Sequence, residues 1–220
     1  MNIEKTHVYF VPGLAAGKEI FWNISLSKEK YTVHVLEWLI PEKSETLKVY
    51  AQRMAARVVE PNSVLIGVSF GGVVAQEMSV FLKLKKLIII SSVKTKHELP
   101  ARMKWVRMTK AYKLLPTSLI LSVEDLTKFA VGPKTKKRLS LYQHYLHVRD
   151  KQYLDWAIEK MVNWERGVSV DGIIHIQGDH DPVFPIKNIS DCTVIVNGTH
   201  IMILNRGREI SKKILHFIEQ

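Results

Sequence analysis

The hydropathy pattern of this chain predicts an α/β fold: a doubly wound, mostly parallel sheet with a helical cap inserted over one end. Three observations carry that reading. Short β-branched runs bounded by turn residues recur along the chain, and most are continuously apolar instead of alternating, as strands covered on both faces are. Segments with apolar residues at three- and four-residue spacing stand between them, as amphipathic helices require. The order is therefore βαβα, broken once by a long helical interval with no convincing core strand.

In chain order, strands are expected at residues 7–11, 32–37, 63–68, 87–91, 173–177 and 193–196, and helices at 45–59, 71–82 and 205–219. The interval 93–166 holds helical patterns at 105–115 and 153–164 and is read as the cap, leaving 1–92 and 167–220 as the core. The run PKTKKR at 133–138 reads as a solvated loop, and no internal repeat is visible.

At 220 residues the chain suits one domain with an insertion, and 46% apolar with 24% charged residues speaks against disorder. The start lacks the basic flank and apolar stretch of a secretory signal, and no run of 18 apolar residues occurs, so neither secretion nor a membrane span is expected. Cys192 is the single cysteine, which excludes an intrachain disulfide and a cysteine metal cluster; a small buried residue at a strand start, in a cytoplasmic protein, is the expectation. The net charge of +11 is local: 93–166 carries 16 Lys+Arg against 7 Asp+Glu. That concentration reads as a solvated face of the cap, and with no nucleic-acid-binding motif present, nucleic acid is not an expected partner.

The chemistry centres on LIGVSFGG, an apolar strand running into Gly67-Val68-Ser69-Phe70-Gly71 and then a helix. This is the nucleophile-elbow pattern GxSxG, in which glycines allow strand and helix to approach closely around a strained serine. A serine hydroxyl is a poor nucleophile until a base takes its proton, and that base needs a carboxylate to orient it. After the strand IIHIQ comes GDHDPVFP with Asp179, His180 and Asp181; after TVIV comes Asn197-Gly198-Thr199-His200.

Together, GVSFGG, GDHDPVFP and NGTHIMIL resemble the α/β-hydrolase superfamily, in order and spacing, over essentially the whole chain. The resemblance implies Ser69 as nucleophile, His200 as base and Asp181, three residues past Gly178 and followed by Pro185, as the acid. Asp179, in the same turn, remains an alternative. The resemblance also implies an oxyanion hole made of the backbone N–H groups of Phe70 and of Leu14, in the loop Val11-Pro12-Gly13-Leu14. Pro12 stands where the family commonly has histidine, which leaves the donor in place, since it is backbone, but not the loop's shape.

In the cap, Trp105, Tyr112 and Phe129 are candidate substrate-pocket residues among a wider set that includes Tyr145 and Trp156, although aromatics at helical spacing also serve as cap core. What the resemblance implies is hydrolysis of a small-molecule carboxylic ester or thioester through an acyl-enzyme, with no metal and no cofactor. A lyase or carbon–carbon bond hydrolase on the same triad, or a hydrolase-like ligand-binding protein, stays open as an alternative. The oligomeric state is not indicated.

Overall fold

The computed structural model describes residues 5–114 and 145–220. Six strands form one sheet: β1 (Thr6–Val11), β2 (Tyr31–Val35), β3 (Ser63–Val68), β4 (Leu84–Ile90), β5 (Ile174–Gly178) and β6 (Thr193–Ile195). Their order is β2-β1-β3-β4-β5-β6, every neighbouring pair parallel. The helices are α1 (Leu47–Ala55), α2 (Phe70–Met78), α3 (Ala101–Thr109), α4 (Lys151–Val162), α5 (Met202–Asn205) and α6 (Gly207–Ile218).

The continuous apolar runs are strands with helices on both faces, and the period of two sends their side chains to opposite layers. Tyr9, Val11 and Leu65 share a buried cluster with α1, α2 and α4. Val8, Phe10, Val64, Ile66 and Val68 pack with Ile210, Ile214 and Ile218 of α6 on the other face. All six residues of β3 are buried, as a central strand requires.

Helix ends depart from the expected bounds for local reasons. Thr46 caps α1, its Oγ1 accepting the Val49 N–H at 3.2 Å, and the expected tail to residue 59 unwinds into turns ahead of Pro61. The expected 105–115 helix instead begins at Ala101, behind Pro100, and stops at Lys110, which takes φ 56° in the left-handed region. A 3-10 turn follows at Ala111–Leu114. The C-terminal helix is split in two at Arg206. Cys192 stands just before β6 and is half-buried, where a buried residue at the strand start was expected.

Within 93–166 the described residues hold no strand. Asp150 caps α4, accepting the Tyr153 N–H at 2.8 Å. Tyr153, Leu154, Trp156 and Ala157 of this helix join the buried cluster under the sheet, so Trp156 fills core, its indole N–H donating to the Glu45 carbonyl. Phe129 and the loop at 133–138 lie outside the described residues. No helix among the described residues is long and apolar enough to cross a membrane.

The topology positions a site. The chain leaves β1 toward β2 on one side and returns to β3 on the other, so the strand order reverses between β1 and β3. In open α/β sheets ligands bind in the crevice beyond the carboxyl ends of strands at such a switch point. Val11 pairs with Gly67 across it, which brings the loop after Val11 against the turn after Val68.

Candidate active site

Ser69 occupies the turn between β3 and α2 with φ 53° and ψ −121°, a conformation that costs a non-glycine residue on the order of 1–3 kcal/mol and persists only when surrounding structure enforces it. Here the enforcement is visible on both sides of the residue. The Ser69 N–H donates to the Ile90 carbonyl at 2.9 Å, while its carbonyl accepts the Gly72 N–H at 2.9 Å and the Ser92 hydroxyl at 2.8 Å. A Cβ on Gly67 would lie 2.3 Å from the Gly71 carbonyl oxygen, and one on Gly71 would lie 2.2 Å from the Pro12 carbonyl oxygen. The glycines of GxSxG are thus required by backbone contact, strand against helix and helix against the β1 loop.

Ser69 Oγ is 2.9 Å from His200 Nε2, and His200 Nδ1 is 2.9 Å from Asp181 Oδ2. His200 reaches this position because its loop after β6 lies against the loop after β5: a Cβ on Gly178 would meet the Gly198 carbonyl at 2.2 Å, and the His180 N–H donates to that carbonyl at 2.9 Å. Phe184 flanks the His200 ring edge-on, centroids 5.4 Å apart.

Asp181 is fully enclosed and saturated with donors. Its Oδ1 accepts the backbone N–H groups of Val183 at 2.7 Å and Phe184 at 2.9 Å. Burial by itself would push this carboxyl up, but the facing His200 and those two N–H groups outweigh it and hold it below the ordinary aspartate range. A carboxylate kept ionised fixes the adjacent imidazole with Nδ1–H toward it and leaves Nε2 free to accept a proton from Ser69.

Asp179 is elsewhere. It faces the exposed His180 at 2.7 Å, and that hydrogen bond lowers its pKa. Of the two aspartates in the turn, Asp181 is the one at His200. No group of three or more His, Cys, Asp or Glu side chains placed to hold a metal ion exists among the described residues.

Phe70 is the first residue of α2, so its backbone N–H has no partner within the helix and points out at the positive end of the helix dipole. The Leu14 loop adjoins Ser69, a Cβ on Gly13 falling 3.6 Å from Ser69 Cβ. The Leu14 N–H has no acceptor among the described residues. Of the cap candidates, Trp105 stands on α3 with 58% of its surface exposed, and Tyr112 is half-buried.

Two supporting residues escaped the sequence reading. Gln177, fully buried at the end of β5, donates through Nε2 to Asp181 Oδ2 at 2.9 Å and to the Phe184 carbonyl at 2.8 Å. A polar residue closing the apolar run IIHIQ signals a required partner, since buried amides are hydrogen-bonded. Ser92, which holds the elbow carbonyl, carries no comparable signal.

No protein-family model matches the chain, and no curated protein matches it in sequence. Solved structures do match. An alpha/beta hydrolase fold protein from Burkholderia ambifaria superposes with TM-score 0.70 at 14% identity, covering 97% of this chain and 91% of that one. A bromoperoxidase from Bacillus anthracis gives 0.71 at 14% identity over 100% and 94% of the two chains. An esterase from Thermogutta terrifontis gives 0.67 at 12% identity over 99% and 91%. At such identities the likeness is one of architecture, and with the sheet order described above it establishes that the chain has the α/β-hydrolase fold.

Proposed function

We propose that the protein is a serine hydrolase that cleaves a small-molecule carboxylic ester or thioester through an acyl-enzyme. The observation that carries this reading is the unbroken chain Ser69 Oγ–His200 Nε2 and His200 Nδ1–Asp181 Oδ2, both links 2.9 Å, built on a strained serine. Ser69 attacks the substrate carbonyl while His200 takes its proton. Asp181 stabilises the imidazolium and remains ionised. The oxyanion of the tetrahedral intermediate is received by the N–H groups of Leu14 and Phe70. On collapse His200 returns the proton to the departing alcohol or thiol, and a water activated by the same histidine then releases the acid. The reaction as written uses no metal or organic cofactor. The inserted interval 93–166 is proposed as the cap that shapes the substrate pocket, with α4 serving the core as well.

The test is fluorophosphonate labelling together with turnover of p-nitrophenyl acetate, butyrate and octanoate. Wild type is expected to be labelled at Ser69 and to hydrolyse at least one ester, with Ser69→Ala and His200→Ala each lowering kcat by roughly 10⁴- to 10⁶-fold. A wild type that neither labels nor turns over would sink the proposal and favour a lyase or ligand-binding role.

A further inference from the structure

Trp38 lies in the loop after β2, outside every motif considered above. Its indole Nε1–H donates to the Gly13 carbonyl at 3.0 Å. That carbonyl belongs to the same peptide unit as the Leu14 N–H. A peptide is planar, with its C=O and N–H on opposite edges, so holding the oxygen fixes the direction in which the N–H points. The Ala16 N–H also donates to the Gly13 carbonyl, at 3.1 Å, so the oxygen is held from two sides. Donation into a carbonyl also polarises the peptide and strengthens its N–H as a donor.

The other face of the same side chain reaches the second proposed donor. The Trp38 ring stacks on Phe70, centroids 5.6 Å apart and 30° between planes, and lies 5.3 Å from the ring of Tyr153. Tyr153 is fully buried and Phe70 is 2% exposed, so this stack is seated on core that does not move freely. Trp38 thus touches the Gly13–Leu14 peptide by a hydrogen bond and Phe70 by ring contact, the two places whose N–H groups are the proposed oxyanion donors.

We propose that Trp38 is a positioning residue for the oxyanion hole, setting the plane of the Gly13–Leu14 peptide against Phe70. This rests on the serine-hydrolase reading. A group that aims an oxyanion donor acts in the transition state and leaves ground-state binding alone, so its removal is read in kcat and not in KM.

Two variants separate aiming from packing. Trp38→Phe keeps an aromatic ring against Phe70 and Tyr153 but has no N–H; replacement of Trp38 by 3-benzothienylalanine keeps the bicyclic shape and exchanges the N–H for sulfur. Both are expected to lower kcat for the best p-nitrophenyl ester by about 3- to 10-fold, the worth of one neutral hydrogen bond, with KM within about twofold of wild type. Inhibition by a trifluoromethyl ketone, whose hemiketal oxygen occupies the hole, is expected to weaken by the same factor. Binding of the matching unreactive amide stays constant.

Wild-type kcat and ketone affinity in the benzothienyl variant would overturn the assignment, even if Trp38→Phe is impaired or fails to fold, because packing alone would then account for Trp38. Equal losses in ketone and amide binding would overturn it as well. If the wild type itself shows no labelling and no turnover, the serine-hydrolase reading fails and this assignment falls with it; active wild type with unaffected variants removes the Trp38 assignment alone.

Discussion

Asp181 and Asp179 stand two positions apart in one turn, and their environments assign them different work. Asp181 is enclosed, takes four hydrogen bonds and faces His200, whereas Asp179 is at the surface beside His180. Asp181→Asn keeps the shape but presents an amide to Nδ1, which turns the imidazole to the wrong tautomer; kcat is expected to fall on the order of 10⁴-fold. Asp179→Asn is expected to leave kcat within about twofold, since it removes only a solvent-exposed pair. Ester kinetics on the two variants check the assignment, and comparable losses in both would refute it. Asp181 and its alternative were both legible in the spacing of GDHDPVFP. Which one faces His200 depends on how the loops after β5 and β6 pack, through the Gly178–Gly198 contact, and two sequence-distant loops leave no local signature of that.

At the scale of elements, the elbow is held by three segments that meet: β3, α2 and the loop after β1. Gly71 is where they touch, a side chain there being 2.2 Å from the Pro12 carbonyl and 2.5 Å from that of Val11. Both neighbours are backbone, so neither can swing aside as a flexible side chain would. Gly71→Ala is expected to destabilise by about 1–3 kcal/mol, as overpacking does, and to abolish fluorophosphonate labelling by shifting Ser69 away from His200. Gly167→Ala is the control: nothing lies within 4 Å, and a surface change of this kind stays within about 0.5 kcal/mol. Denaturant midpoints with labelling of both variants test the contrast; a labelled, stable Gly71→Ala would show that the contact is not restrictive. The existence of these elements followed from hydropathy, but their ends did not. The left-handed turn at Lys110 and the break at Arg206 are decided by caps and neighbours that periodicity does not encode.

For the molecule as a whole, the buried polar row behind His200, through Asp181, Gln177 and His175, bears on acid stability. His175, in β5, faces Gln177 at 3.1 Å and is held neutral: burial brings its pKa down to about 4 from 6.5, against the opposing pull of Gln177. The unfolded chain protonates this histidine below about pH 6.5 while the folded chain resists until about 4, so its contribution is complete above pH 6.5 and is lost as pH falls toward 4. Between pH 7 and pH 5 that loss is about 2 kcal/mol. Asp181, also depressed, adds a further loss in more acidic solution as its carboxylate protonates. Urea melts at pH 7 and pH 5 are expected to show the drop in wild type and a much smaller one in His175→Gln. Equal drops in both would mean that other groups govern the acid limb.

The sequence by itself determined the layered α/β architecture, the strand that carries Ser69, and the short set of residues from which a triad can be drawn. It could do so because strand burial, helix periodicity and the glycine demand of a tight elbow are local and leave their pattern in consecutive residues. Only the tertiary structure decided which aspartate meets His200, that Gln177 holds Asp181 and Ser92 holds the Ser69 turn, that Trp156 belongs to the core, and that Trp38 reaches the Gly13 peptide. Each of those is a contact between segments far apart in the chain, fixed by how a parallel sheet brings its loops together at one end, and hydropathy carries no record of such meetings.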